Sequence, residues 1–234
     1  MIEVYITGSI SFPQALSEIW DVLTEDERQT LHRESKVFRY DKHEVIYSID
    51  EEPQYMMWLL EGRIKIYIEG VSNRRQIMRV IRPYQSLGYR AHFAQEPYLT
   101  NASALCPSTL LLTPLKLIDQ FLATNNALAQ YFIKQLSIDL GVADERTVSL
   151  TQKHIRGRIA ESLIFLLDSY GYEKDKQTLS FGLNRNDLAS LSNMTTSNAI
   201  RTLAAFAAEG LVILDGKKIK ITNEKQLRTI SQQG

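Results

Sequence analysis

The spacing of apolar residues changes period along this chain, and that change limits the folds open to it. Between residues 36 and 114 the pattern is short and two-fold: Ile64, Ile66 and Ile68 alternate with Arg63, Lys65 and Tyr67, as in a strand with one buried face. Gly62, Gly70 and Ser72-Asn73 supply turn signals around it, and further short apolar runs occupy residues 45–47, 56–60, 77–81 and 110–112. Several strands with turns between them predict an antiparallel sandwich or roll. Upstream, Leu16, Ile19, Trp20, Leu23 and Leu31 fall at helical spacing within residues 13–34, around the polar Asp26-Glu27-Arg28. After residue 114 the period lengthens. No proline interrupts residues 115–171, and Ala129, Phe132, Leu136, Leu140, Ala143, Thr147, Leu150 and His154 recur at steps of three and four. A stripe close to 3.5-residue spacing predicts a long helix whose seam meets a second copy, with packing on its own domain as the alternative.

At 234 residues the chain is long enough for two modest domains, and 44% apolar with 23% charged residues is ordinary for a globular core. No apolar run approaches the roughly 18 residues of a membrane helix. The start, Met-Ile-Glu-Val-Tyr, carries an early acid and lacks the basic opening of a secretory signal. Cys106 is the single cysteine, so no internal disulfide can form, and the cytoplasm is the expected compartment. The formal charge is zero, but it is unevenly placed: residues 151–234 carry 12 Lys/Arg against 8 Asp/Glu, and the rest 15 against 19. A basic C-terminal part suits contact with nucleic-acid phosphates.

Within that part a helix carrying Ile159, Leu163, Leu166 and Leu167 is predicted to stop at Tyr170-Gly171. A polar loop at 173–177, a short strand at 179–181 and two short helical patterns follow. Apolar runs at 211–214 and 217–221, joined by Asp215-Gly216, predict a hairpin. The two helical patterns read RNDLASLSNMTTSNAIRT from Arg185 to Thr202. Leu188 and Ala189 can pack the first helix, and Ala199, Ile200 and Leu203 the second. Asn193 sits in the turn, where left-handed dihedrals are needed. Thr195 can cap the second helix, which leaves Thr196, Ser197 and Asn198 in an exposed first turn and Arg201 one turn on. Such side chains can reach base edges or phosphates in a major groove. A helix-turn-helix followed by a hairpin is a winged helix. A helical hairpin of purely structural role, inside a ligand-binding or interaction module, is the competing reading.

With these pieces in order, the chain resembles the CRP/FNR family of transcription regulators over nearly its whole length. The resemblance is carried by Glu44-Val45-Ile46-Tyr47, the run LEGRIKIY from Leu60 to Tyr67, Gly157-Arg158-Ile159-Ala160, and the residues from Arg185 to Leu203. It implies an α+β chain. Residues 1–124 would form an N-terminal helix and an antiparallel β-roll of the cyclic-nucleotide-binding kind (a double-stranded β-helix, jelly-roll-like). Residues 125–153 would form the dimerisation helix, and residues 154–234 a winged helix-turn-helix beyond a hinge near His154. It further implies a homodimeric, signal-responsive regulator that binds a pseudo-palindromic operator in double-stranded DNA, with RNA polymerase as an added partner of an activator. Arg185 aligns with a phosphate contact, Arg201 with an arginine of the recognition helix, and Gly216, Lys217 and Lys218 with the wing.

The chain also departs from the family. Members that bind a cyclic nucleotide carry a Gly-Glu-Leu-Gly type cassette and then an Arg-Ser pair; here the cassette is Gly88-Tyr89-Arg90-Ala91 and the later position is Asn101-Ala102. Losing the arginine that would neutralise a buried phosphate disfavours a cyclic nucleotide. Gly88, Tyr89, Arg90, His92, Asn101 and Ala102 are the expected lining of an effector pocket. A single cysteine disfavours an iron–sulfur cluster. Haem stays open through His92, Met56, Met57 and Met78, as does an unidentified small molecule. Four scattered histidines, at 32, 43, 92 and 154, give no metal-ligand spacing, and no nucleophile–base pair or Gly-rich phosphate loop points to an enzyme. On the recognition helix Thr196-Ser197 replaces the family's Arg-Glu, and Ser192 stands where an apolar turn residue is usual.

Overall fold

The protein is described from a computed structural model that covers residues 2–4, 16, 18–70 and 74–234. The start of the expected N-terminal helix (residues 13–15 and 17) and the Ser72-Asn73 turn lie outside the described residues. The chain forms two compact units, one of Met1–Ile68 with Met78–Gly141, the other of Glu69–Ile77 with Val142–Gly234.

Among the described residues, the expected N-terminal helix is two helices, α1 (Glu18–Val22) and α2 (Glu25–Glu34). The break falls where Thr24 forms a capping box: its hydroxyl accepts from the Glu27 amide at 3.3 Å, and the Glu27 carboxylate accepts from the Thr24 amide at 2.7 Å. One strand, β1 (Ile2–Val4), precedes these helices, and β2 (Lys36–Tyr40), β3 (Val45–Tyr47), β4 (Tyr55–Glu61), β5 (Ile64–Glu69), β6 (Arg75–Ile81), β7 (Ser86–Leu87), β8 (Asn101–Ala104) and β9 (Ser108–Pro114) follow them. They make a sheet in the order β1-β2-β9-β4-β7 and another in the order β3-β8-β5-β6; the pairings β1–β2, β2–β9, β4–β9, β4–β7, β3–β8 and β5–β8 are antiparallel. This is the roll.

Residues of β4 and β9 divide between two cores. Met56, Trp58, Leu60 and Leu111 join a cluster with Leu16, Ile19, Leu31, Ile118 and Phe132 of the helices. Met57, Leu59, Leu110 and Leu112 join the cluster between the sheets, with Tyr40, Tyr47, Ile64, Ile66 and Tyr98. A strand covered on both faces needs a continuous apolar run, which explains MMWLL in β4. The alternation expected of β5 does not survive: Lys65 and Tyr67 are buried like Ile64 and Ile66, because β5 lies inside its sheet and the Lys65 ammonium sits 5.5 Å over the Tyr67 ring.

Between β7 and β8 lies a one-turn helix, α3 (Tyr89–Phe93); after β9 come α4 (Leu115–Leu122) and the long α5 (Asn126–Gln152). In the second unit α5 is followed by α6 (Ile155–Tyr170), which begins at His154 in extended conformation. Next are α7 (Arg185–Leu191) and α8 (Thr196–Ala208), then β10 (Val212–Asp215), β11 (Lys218–Ile221) and α9 (Glu224–Gln233). The expected strand at 179–181 is reduced to isolated bridges, Tyr172 to Leu179 and Thr178 to Lys220. The hairpin closes one residue later than expected: Asp215 pairs with Lys218, so Gly216-Lys217 is the loop, and glycine takes its φ of +54°.

Candidate nucleic-acid interface

Helices α7 and α8 cross at a turn whose geometry is fixed from several sides. Ala189, Leu188, Ala199, Leu203 and Phe206 are buried between them and α6. Asn193 adopts a φ of +49°, the left-handed conformation an asparagine tolerates. Ser192, in place of an apolar residue, is satisfied by the Leu188 carbonyl at 2.9 Å and the Ser162 hydroxyl at 2.8 Å. Two arginines that the sequence reading missed hold the turn's carbonyls. Arg146 donates to Leu191 O at 2.8 Å, and Arg158 donates to Asn193 O at 2.9 Å. Carbonyls at a helix C-terminus carry partial negative charge, so guanidinium groups belong there. Burial lowers the pKa of Arg146.

Thr195 caps α8, its hydroxyl accepting from the Asn198 amide at 3.3 Å. Thr196 is half-buried and donates to Asn186 Oδ1 at 3.0 Å. Ser197 and Arg201 are exposed; Asn198 is half-buried, its side-chain oxygen accepting from Arg201 at 2.5 Å. That partner is neutral, so the arginine keeps its charge outward. Ile200, expected inside, is 49% exposed. The phase of α8 is set by Ala199, Thr202, Leu203 and Phe206, and these turn Ile200 away from the core.

The wing residues are placed differently. Lys218 donates to both oxygens of Glu173, at 2.8 and 2.9 Å, and Lys220 approaches Asp175 at 3.9 Å. Arg185, expected at a phosphate, is half-buried and donates to Gly216 O at 3.1 Å; burial lowers its pKa. Lys217, at the tip, is exposed.

Of the expected seam on α5, Leu140 is 62% exposed, Ala143 and Thr147 are exposed, and Ala129, Leu136 and Leu150 are half-buried. Phe132 is a correction. It is 3% exposed and faces its own core, with its ring 5.8 Å from Tyr89 and 4.9 Å from Phe93. Ile133, one heptad before Leu140, is 58% exposed and takes the outward place; the heptad step was legible.

Of the expected effector residues, His92 lines an open cavity that Gly88, Tyr89, Arg90, Asn101 and Ala102 do not line. Tyr89 is buried and donates to Asp139 Oδ2 at 2.6 Å, an oxygen that also accepts from Arg79 at 2.8 Å. Burial is the first cause of a raised Tyr89 pKa. Gly88 has a φ of +93°, and a Cβ there would meet the Tyr55 carbonyl at 2.8 Å. Arg90 pairs with Glu96 at 2.8 Å and His92 with Asp119 at 2.7 Å. His92, Glu96 and Asp119 line an open cavity of about 420 Å³ together with Glu52 and Phe93. Asn101 accepts from the Ile49 amide at 3.0 Å, and Ala102 is buried between the sheets. There the Tyr47 and Tyr98 rings stack 3.8 Å apart. Among the described residues no group of His, Cys, Asp and Glu is arranged to hold a metal ion, and no helix is long and apolar enough to cross a membrane.

Two stretches of the chain match known families. Residues 37–125 match the family model described as "Cyclic nucleotide-binding domain", and residues 157–230 match "Crp-like helix-turn-helix domain". The chain is 25% identical to the HTH-type transcriptional regulator ArcR of Staphylococcus haemolyticus, over 75% of this chain and 78% of that one. The fold is that of FixK2 from Bradyrhizobium japonicum, with a TM-score of 0.74, 20% identity and coverage of 84% and 96%. It is also that of a crp/fnr family regulator from Eubacterium rectale, with a TM-score of 0.77, 16% identity and coverage of 92% and 98%.

Proposed function

The chain belongs to the CRP/FNR family of transcription regulators, and from that premise we propose that it acts in the cytoplasm as a homodimer reading a pseudo-palindromic operator. The observation that carries this reading is the outward first turn of α8, where Ser197 and Arg201 face solvent and, among the described residues, no carboxylate pairs with the arginine. Ile133 and Leu140 of α5 are the proposed seam between two copies, and paired helix-turn-helix units read half-sites about 34 Å apart, one turn of DNA. Apolar side chains as exposed as these two favour a partner surface over solvent.

The signal is proposed to be something other than a cyclic nucleotide. Tyr47, Tyr98 and Ala102 are packed in the apolar cluster between the sheets, and Tyr89 engages Asp139. No arginine stands at Asn101-Ala102 to neutralise a phosphate. The cassette helix α3 meets α5 through Tyr89–Asp139 and Phe93–Phe132, so a change in that packing would bias the population of DNA-competent dimers.

Salt-dependent retention of duplex DNA tests the reading, since phosphate contacts release counterions. Native mass spectrometry should give a dimer that the double substitution Ile133→Asp, Leu140→Asp converts to monomer with loss of specific binding. A monomeric wild-type chain, or one whose DNA retention ignores salt, overturns the proposal. Calorimetric titration with cyclic AMP and cyclic GMP should give no binding heat; stoichiometric binding of either overturns the effector reading alone.

A further inference from the structure

We infer that Ile200 is a specificity-determining residue that reads the methyl group of a thymine. The inference rests on the proposed operator binding and adds to it a base and a side chain. Ser197, Ile200, Arg201 and Ala204 are all exposed and recur at steps of three, four and seven, so they share the outward face of α8. Ser197 and Ala204, one turn either side of Ile200, are short. The isoleucine therefore stands proud of its line, next to an arginine that Asn198 orients.

Intramolecular packing does not explain its exposure. The buried positions of α8 are Ala199, Thr202, Leu203 and Phe206, and Ile200 belongs to none of them. The face has another mark. Helix α8 carries one charged residue, Arg201, and no carboxylate from Thr196 to Ala208. A surface with one cation, short neutral neighbours and one tall branched hydrocarbon matches a duplex groove better than a protein partner. In the major groove the thymine C5-methyl is the one apolar group any base pair presents. Arginine beside it suits a guanine. Ile200 thus calls for an A·T pair adjacent to the pair that Arg201 meets.

The test uses the full chain and duplexes it selects from a random-sequence pool. In the selected operator each thymine is replaced in turn by deoxyuridine, which lacks only the 5-methyl group. At one position in each half-site the replacement should weaken wild-type binding about fourfold, the worth of one buried methyl group. Ile200→Ala should make that position indifferent to the methyl, and Ile200→Val should keep most of the discrimination. The thymine-to-uracil ratio cancels any effect of the substitution on folding or dimerisation. A specific operator whose thymines all show the same ratio for wild type and Ile200→Ala overturns this inference and leaves operator binding intact. So does an Ile200→Ala variant that changes self-association and not the ratio. A pool from which no consensus emerges overturns both.

Discussion

The recognition helix and the wing lie in one unit and both look basic or polar in the sequence, yet the structure disposes of their charge in opposite ways. On α8, Arg201 is held by a neutral amide and, among the described residues, no carboxylate pairs with it. On the wing, Lys218 is taken by both oxygens of Glu173, Lys220 faces Asp175, and Arg185 is turned inward onto Gly216 O. A surplus of lysine and arginine in a domain therefore does not by itself locate a DNA surface. What counts is charge left without an internal partner. This contrast fits the proposal that α8 reads sequence, and it leaves Lys217, at the wing tip, as the wing's exposed cation without a described ion pair.

The largest effect should separate those two surfaces. Arg201→Ala is expected to weaken specific operator binding by about 1–3 kcal/mol, with little change in thermal stability because the side chain is exposed. Lys218→Ala should change affinity by less than about twofold, since its ammonium is already committed and an exposed pair contributes little. Fluorescence anisotropy on the selected operator measures both. A loss with Lys218→Ala as large as with Arg201→Ala would erase the contrast.

Next in size is the framework that presents α8. Thr195→Ala removes its cap and should cost about 1 kcal/mol of stability by denaturant titration. Binding should fall with it, because the amides of the first turn are no longer fixed. No matching effect on the wing is expected. A variant as stable as wild type would show that Arg146 and Arg158 suffice to hold the turn.

Smaller still is the release of the wing's masked charge. Glu173→Gln frees Lys218, and the slope of log affinity against log salt should steepen by up to about 0.9, one added phosphate contact. An unchanged slope would mean that Lys218 cannot reach the backbone even when free, which sharpens the contrast into one of geometry.

How far these two surfaces were legible depends on whether their determinants are local. The α8 cap at Thr195, the left-handed Asn193 and the hairpin were readable because each rests on residues a few positions apart. The Thr24–Glu27 capping box was equally local and marks a break the helical periodicity concealed. Lys218 with Glu173, Arg158 with Asn193 and Ser192 with Ser162 are 30 to 45 residues apart, and no periodicity announces them. Phe132 and Ile200 show a different limit. Apolar spacing located both helices, but a rotation of one position decides which side chain faces inward, and that depends on what each helix packs against. Phe132 is drawn in by Tyr89 and Phe93, and Ile200 is turned out by Ala199 and Leu203.

The least of the expected effects asks whether the acidic loop beside the wing acts through charge or through local hydrogen bonds. Asp175 accepts from the Thr178 hydroxyl at 2.6 Å and from the amides of Thr178 and Gln177 at 2.8 and 3.1 Å. These bonds, the Thr178 hydroxyl first, hold its pKa down to about 2 from 3.8, and Lys220 contributes least. A carboxylate whose pKa is depressed by folding stabilises the folded state above its unfolded value; that contribution fades as pH falls from about 3.8 through about 2. Asp175→Asn should therefore melt slightly below wild type at neutral pH, with the two curves converging as pH is lowered through that window. Because the hydrogen bonds dominate, 0.5 M salt should leave the neutral-pH difference in place. If salt abolishes it, the Lys220 pairing governs Asp175, and the loop serves to screen the wing rather than to shape its own turn.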